Sequence, residues 1–500
     1  MAATQERKRI AIVGSGISAL ATLWTLRSAG HTVTLFEKED RLGGHTNTAT
    51  WTSPSDAMHS TPVDTGFIVL NTATYPNFIA FLNALGVKTM ASQMTFGVSR
   101  DGGAFEWSGT SLAALFAQRE NMVRPAFWRM VFDIVRFNAF ALDLLSPSSG
   151  GDAGLTIGDY LKREGYSDAF RDDYLIPMTA CVWSTGPEKC ALEFPAVTLV
   201  RFMWNHHLLS TVAARPPWLT VEGGAQKYID AVVKVCAETR IELNTPVEAL
   251  RRLPGARIEV TLGGAREGDH ELFDEVVLAC HGDQARWIMG DAATPTEKEI
   301  LDAFETTPNT AYLHSDLSLM PTRPAAWSAW NYLTTSLSTT SSTTVSLTYH
   351  MNVLQNLSPS LYGPILVTLN PLKPPSPSLT QAIYSYRHPL YTACSVAAQE
   401  KLDQIQGNDG VWFAGAWTGY GFHEDGFASG MRVGLALGGS IEWEAKDAKF
   451  SRGRVPGRQW KESMVRAVVM VVQTCIRIVG AVVAGEVQEL KGGKAKVKPL

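Results

Sequence analysis

The first forty residues constrain the fold of this chain more tightly than any other stretch. Residues 9 to 13 (RIAIV) are a short β-branched run, Gly14-Ser15-Gly16-Ile17-Ser18-Ala19 follows, a helix-period segment continues to Ala29, and residues 32 to 36 (TVTLF) form a second apolar run ending at Glu37. Strand, tight turn, helix and strand within about 30 residues make a βαβ unit. Each position has a physical task. Gly14 permits the turn, Gly16 lets the backbone approach a pyrophosphate, and the first helix amides, at Ile17 and Ser18, face its charge. Glu37, followed by Lys38, stands where an acid takes the ribose hydroxyls of a dinucleotide. The fingerprint does not recur, so one dinucleotide site is expected.

The rest of the composition fits a large globular enzyme. Five hundred residues allow about three domains at roughly 150 each. With 44 Lys and Arg against 48 Asp and Glu the net charge is −4, without the basic excess that nucleic-acid binding leaves, so no nucleic-acid partner is expected. The six Cys (181, 190, 236, 280, 394 and 475) show no CxxC pair and no Cys/His ligand spacing, which reads as reduced core thiols and no metal. The N-terminal residues MAATQERKRIAIVG lack a signal-peptide stretch, which favours a cytoplasmic location.

The patterning divides the chain into alternating parts: 1–100 (first dinucleotide part), 101–217 (helical cap), 218–290 (second dinucleotide part), 291–395 (substrate-domain sheet), 396–445 (C-terminal dinucleotide part) and 446–500 (basic, amphipathic extension). Residues 111 to 210 are mostly of helical pattern, and several β-rich runs lie between Ala311 and Leu369. The Ser/Thr-rich stretch 334 to 346 reads as a hairpin loop. The fold class is α/β, α+β overall: a Rossmann-like dinucleotide domain carrying an inserted domain of mixed sheet plus helical cap.

The segment Glu37-Lys38-Glu39-Asp40-Arg41-Leu42-Gly43-Gly44 resembles the FAD-binding pattern of the amine oxidase and phytoene desaturase superfamily. In that superfamily the paired glycines carry the chain across the flavin pyrophosphate. Val411-Trp-Phe-Ala-Gly415 and Gly426-Phe-Ala-Ser-Gly430 resemble its closing element, almost 400 residues downstream. Val247, after Thr-Pro, resembles the position whose backbone meets adenine. The strings LGGHTNT, VDTGFIVLN, IPMTACVWS and GYGFHEDGFASG are similar to a bacterial and fungal group within the superfamily, related to polyenoic fatty acid isomerase and branched fatty acid desaturase. The resemblance implies FAD, a glutathione-reductase-like cofactor domain, and hydride transfer with a hydrophobic, lipid-like substrate. Two departures turn the expectation away from amines: no Lys occurs between Lys298 and Lys373, where amine oxidases usually keep one, and Ala416 rather than an acid follows Gly415.

By the same resemblance the cofactor-binding set is Gly14, Ser15, Gly16, Ile17, Ser18, Glu37, Lys38, Gly43, Gly44, His45, Thr46, Asp64, Thr65, Gly66, Val247, Gly415, Glu424, Asp425 and Ser429. His423, Glu424 and His350 are the candidate catalytic residues. For His423-Glu424-Asp425 two readings stand, acid-base work at the flavin or capping of the final helix. His45 either touches the flavin or satisfies a carbonyl, and Asp64 reads as a structural turn residue. His350 and Asn352 alternate on an expected strand and would share one face. Trp183, Trp330, Trp417 and Tyr420 line an apolar tunnel or belong to the core. Arg129 and Arg136, seven apart, form an anion clamp or a solvated face.

In residues 464–485 Arg466, Gln473 and Arg477 fall in one polar wedge of an otherwise apolar helix, with Arg452, Arg454, Arg458 and Lys461 before it and Lys491, Lys494, Lys496 and Lys498 after it. That pattern suits either an anionic membrane surface or a helix packed on the protein. The leading expectation is FAD-dependent desaturation or double-bond isomerisation of an acyl-like chain. An amine oxidase and a flavin-stabilised binding protein without turnover are the alternatives.

Overall fold

A computed structural model describes residues 7–146, 154–183, 192–209, 216–335, 346–447 and 460–493, the side chains of 181–183 and 479–493 excepted. The strand Arg9–Val13 lies at the centre of a five-stranded parallel sheet, in the order Arg240–Glu242, Thr32–Phe36, Arg9–Val13, Glu275–Leu278, Val411–Phe413. Period-2 alternation decides which side chain meets which layer. Ile10 and Ile12 enter a core with the helix Ile17–Leu26, whereas Ala11 and Val13 enter a second core with a three-stranded meander, Val247–Leu253, Arg257–Leu262 and His270–Phe273. Both faces of the central strand are therefore dry, as a parallel sheet requires.

The two chain ends meet at a helix pair. All ten residues of Ile17–Leu26 are buried, and its neighbour is the helix His423–Ala436. Gly426, Gly430 and Gly434 recur every four residues and so line one face of that helix. A Cβ on them would lie 2.7 Å from Ile17 Cγ2, 1.9 Å from Ser18 O and 2.6 Å from Thr25 Cβ. With hydrogens there instead, the helices approach closely enough for Thr22 Oγ1 to donate to Gly430 O (3.0 Å).

The second large sheet has seven strands, in the order Thr380–Pro389, Thr306–His314, Leu366–Leu369, Ser346–His350, Trp330–Thr334, Phe96–Arg100, Phe105–Ser108. All pairs are antiparallel except Trp330–Thr334 with Phe96–Arg100. Two of its strands, Phe96–Arg100 and Phe105–Ser108, precede the region 291–395 that the sequence pattern assigned to this sheet, and the other five lie within it. Residues 336–345 of the expected hairpin loop lie outside the described residues, although the strands on either side pair antiparallel.

The helical region includes Pro125–Phe140, Ile157–Glu164, Ile176–Trp183 and Ala196–Asn205. Arg129 and Arg136 are not a solvated face. They bracket the buried Asp133 (2.8 and 3.5 Å), and both donate to Gly165 O (2.9 and 3.4 Å), which caps the C-terminal end of Ile157–Glu164. Cationic donors suit a helix C-terminus, where carbonyls lack partners.

Of the expected core thiols Cys236 is buried and Cys280 half-buried, Cys394 and Cys475 are exposed, and Cys190 and the side chain of Cys181 lie outside the described residues. Among the described residues no helix is long and apolar enough to cross a membrane.

Candidate functional site

The fingerprint turn is built for a close approach. Gly14 sits at φ +96°, and a Cβ there would meet Ala279 O at 2.9 Å, so the turn over the neighbouring strand admits only glycine. A Cβ on Gly16 would point into open space. The helix Ile17–Leu26 starts at this point without a side-chain cap, leaving the amides of Ile17 and Ser18 toward that space.

The paired glycines close the same cradle. Gly44, at φ +56°, would place a Cβ 3.3 Å from Gly16 Cα, and Gly43, at φ +110°, would place one 2.4 Å from Thr46 O. Gly43 N donates to Ser15 O and Oγ, both at 3.1 Å. Arg41 holds the turn from outside by donating to Gly44 O (2.9 Å) and Thr46 O (3.3 Å). No spacing rule singled out Arg41, which works through carbonyls.

Glu37 is buried at the end of Thr32–Phe36 and accepts from Ser15 Oγ (2.5 Å) and Glu39 N (2.9 Å). Each oxygen has taken one donor, so each keeps capacity for a hydroxyl. Thr245 N donates to Glu37 O (2.9 Å) and Asn244 N to Glu39 O (3.0 Å), which brings the start of Val247–Leu253 beside the acid. The Lys38 side chain is turned to solvent and paired with Glu39.

Beyond the glycines three histidines from different elements converge. The His45 ring lies 5.7 Å from that of His281, 5.1 Å from that of His388, and stacks on Tyr386 at 5.2 Å. Desolvation holds His45 well below the usual histidine value and brings His281 and His388 down to about 4, so all three are neutral near pH 7. His45 bonds to the Arg387 backbone, while its Nε2, closed off from solvent, has no partner. Tyr386 OH meets Thr65 Oγ1 (2.7 Å) and Asn47 Nδ2 (3.0 Å). Gly66 lets this layer form, since a Cβ there would lie 2.2 Å from His45 O. Sequence reading missed His281, at the start of the helix Gly282–Met289, and Tyr386 and His388, two apart on the strand Thr380–Pro389, because the two segments share no motif.

The acidic candidates take structural places. Glu424 caps the helix Pro76–Ala84: its carboxylate accepts from Asn77 N (3.1 Å), Asn77 Nδ2 (2.6 Å) and Phe78 N (2.9 Å). It does not act on the final helix or the cradle, and burial pushes it up to about 8. Asp425 accepts from Tyr420 N and Phe422 N (3.1 and 2.9 Å), fixing the turn before the final helix. Asp64, buried and pushed up to about 7 by desolvation, joins Thr48, Ala225 and Gln355 (2.5, 2.9 and 3.0 Å), as a structural turn residue should. Ser429 ties Gly415 to the final helix, accepting from Gly415 N at 2.9 Å.

His423 stacks on Phe67 at 3.6 Å and its Nε2 meets Tyr228 OH (3.0 Å), which in turn bonds Thr46 Oγ1. Desolvation lowers it to about 3. His350 ends its strand and Asn352 lies in the helix Met351–Leu354, so the two do not alternate on one face; Asn352 binds Leu357 O, Gly363 O and Ile365 N instead. Trp417 belongs to the core, donating to Cys280 O (2.9 Å), and Tyr420 packs on Phe202. Trp330 keeps a buried Nε1 without a partner, and the side chain of Trp183 lies outside the described residues.

The family profile of flavin containing amine oxidoreductases matches residues 15–314, 300 of the 500 residues. The chain belongs to this family. FAD is accordingly its cofactor, and an uncapped helix start, two facing glycine turns that side chains would fill and a buried acid fit that group. In sequence the chain is similar to the 15-cis-phytoene desaturases of Narcissus pseudonarcissus (26% identical over 217 residues, 40% of this chain and 35% of the relative) and Arabidopsis thaliana (23% over 289 residues, 53% and 47%). The matches span about a third to a half of those relatives. In fold it is similar to an engineered putrescine oxidase (TM-score 0.60, 15% identical, 86% of this chain and 98% of that one) and to a CLA-producing fatty acid isomerase from P. acnes (0.57, 15%, 86% and 98%). A cyclohexylamine oxidase from Brevibacterium oxydans scores 0.59 at 14% identity, with 86% and 99% covered.

Glu37→Gln is expected to weaken FAD binding by about 1.5–3 kcal/mol, the worth of hydrogen bonds to a charged acceptor, while the helix pair stays intact. Titration of the apoprotein with FAD, followed by flavin fluorescence, measures this. An unchanged Kd would remove Glu37 from the site.

Proposed function

We propose that this flavoenzyme moves hydride between a hydrophobic, acyl-like chain and FAD, so that the chain is desaturated or its double bond isomerised. The observation that carries this reading is the chemistry around the site: the seven strands of the second sheet contain no lysine, and the three histidines beside the paired glycines are neutral. The likeness to phytoene desaturases and to a fatty acid isomerase supports it.

Bound FAD supplies the two-electron redox step. The protein's share is positional. Gly14, Gly16 and the helix amides of Ile17 and Ser18 receive the pyrophosphate, Glu37 the ribose hydroxyls, and Gly43 and Gly44 the close backbone crossing. His45, with its Nδ1 side committed to the Arg387 backbone, offers the partnerless Nε2 as an acceptor in a water-poor space, which suits holding a proton or orienting a polar group. Burial keeps that ring uncharged, and His281 and His388, themselves neutral, place no charge beside it.

Amine oxidation is the second reading, favoured by the likeness to putrescine and cyclohexylamine oxidases. Anaerobic additions of unsaturated or methyl-branched fatty acyl substrates and, separately, of putrescine and cyclohexylamine decide between them when absorbance is followed near ~450 nm, where oxidised flavin absorbs. Bleaching by acyl chains alone is the expected result, or product isomers without net bleaching. Bleaching by amines with peroxide on readmitting oxygen would transfer the assignment to amine chemistry.

A further inference from the structure

The C-terminal helix is amphipathic in the wrong sense for water. It spans Trp460–Gly493, and its Arg466 and Gln473 face the protein. Arg466 donates to both oxygens of Asp143 (3.0 and 2.5 Å) and to Ala139 O (3.0 Å), and its guanidinium lies 4.3 Å from the Phe140 ring. One turn on, Val469 is buried. Gln473 then accepts from Arg136 (3.3 Å) and Arg477 (3.0 Å) in the amide orientation that satisfies both of its atoms. These contacts lay the helix antiparallel along Pro125–Phe140.

The opposite face is apolar and bare. Met464, Val468, Val471 and Ile478 are 60%, 63%, 64% and 58% exposed, and with Cys475 they fall within one arc of the wheel at spacings of three and four. Among the described residues, eight of the twenty exposed large hydrophobic ones lie between Trp460 and Ile478. An apolar face of this kind on a protein surface marks a contact with something else. Charge indicates what. Residues 451–500 hold ten basic and three acidic residues, a net +7, in a chain whose total is −4. The remaining 450 residues are therefore at −11, and the positive charge is concentrated in the part of the sequence that carries the apolar face.

We propose that this outward face docks the protein on an anionic lipid bilayer. The apolar arc enters the headgroup and acyl boundary, and the net positive charge of residues 451–500 attracts this part of the chain to the lipid phosphates. The Arg466–Asp143 and Gln473–Arg136 contacts fix the helix so that this arc faces outward. Docking of this kind is independent of the chemistry at the flavin, and its test does not use turnover.

The test is flotation of the full-length FAD-loaded protein with vesicles of phosphatidylcholine alone and with phosphatidylglycerol added. The wild type is compared with a Val468→Glu, Val471→Glu double variant. Both positions are solvent-facing, so the variant keeps its flavin spectrum and melting temperature. The wild type is expected to float with the anionic vesicles, more weakly with the neutral ones, and the variant to lose binding by about tenfold or more. Absence of flotation with anionic vesicles, or equal flotation of the variant, would overturn the proposal. So would a dimer in vesicle-free buffer that the same substitutions convert to monomer, because the face would then belong to a second copy of the chain.

Discussion

Gly430→Ala is expected to yield protein that melts at a markedly lower temperature and does not retain FAD. The added methyl carbon would lie 1.9 Å from Ser18 O and 2.7 Å from Ser18 C. Both atoms are backbone of the helix Ile17–Leu26, so no rotamer change relieves the clash. The helices must separate, and Thr22 loses its bond to Gly430 O. Overpacking a tight core costs about 1–3 kcal/mol and sometimes more; a backbone obstacle puts this case at or beyond the upper end. The displaced helix is the one whose first turn forms the pyrophosphate cradle, so stability and cofactor fall together. Visible absorbance per protein and a thermal melt measure both. Gly109→Ala, whose Cβ would have its nearest neighbour at 4.0 Å, is the control and is expected to stay within about 0.5 kcal/mol of wild type. A yellow, wild-type-like Gly430→Ala protein would refute this account of the helix pair.

Stability is expected to peak near pH 6.5, dropping steeply toward pH 4 and gently toward pH 8. Burial lowers His206, His281, His314 and His388 to about 4 and His423 to about 3, from 6.5. His314 shows why. It is wholly buried, its Nδ1 accepts from Asp316 N (3.0 Å) and its Nε2 meets Thr368 Oγ1 (2.7 Å), so a second ring proton would break the first of these bonds. For such a group the unfolded chain binds a proton between pH 6.5 and 4 and the folded one does not, and folding stability is lost as pH falls through that window.

Three carboxylates act in the opposite direction. Desolvation raises Asp173 to about 6, Asp64 to about 7 and Glu424 to about 8. The folded state then holds protons that the unfolded state has released, and stability falls as pH rises from about 4 to those values. Between pH 4.5 and 6.5 the five histidines outweigh the three carboxylates. Above 6.5 only Asp64 and Glu424 still titrate, which gives the shallow alkaline decline. Melting temperatures at pH 4.5, 6.5 and 8 check the shape, and a melting temperature that climbs steadily into acid would contradict the histidine account.

Much of the cofactor half is local information. The strands Arg9–Val13 and Thr32–Phe36, the helix between them, Glu37 and the pair Gly43-Gly44 are legible because each depends on residues within one βαβ unit, where period and glycine placement leave few conformations. The Gly426, Gly430 and Gly434 spacing also announces a small-residue helix face, although nothing in the sequence says that Ile17–Leu26 is its partner.

Elsewhere local pattern runs out. Glu424 sits in a motif that looks like flavin machinery, yet the helix Pro76–Ala84, some 340 residues earlier in sequence, takes its carboxylate. His350 and Asn352 have strand spacing, but the strand stops between them because Asn352 satisfies the carbonyls of Leu357 and Gly363. His45, His281 and His388 come from three distant segments, and only the packing of the two sheets makes them one desolvated cluster. The wedge of Arg466, Gln473 and Arg477 is written in the sequence, while its direction is not. Asp143 and Arg136 turn it inward and leave the apolar arc outside. Elements whose hydrogen bonds and turns close within a few residues are legible in the order of the residues alone. The tertiary structure decided every feature in which a charge or an unpaired polar atom had to find its partner across the fold, because burial makes that partner obligatory and chain order does not say which it is.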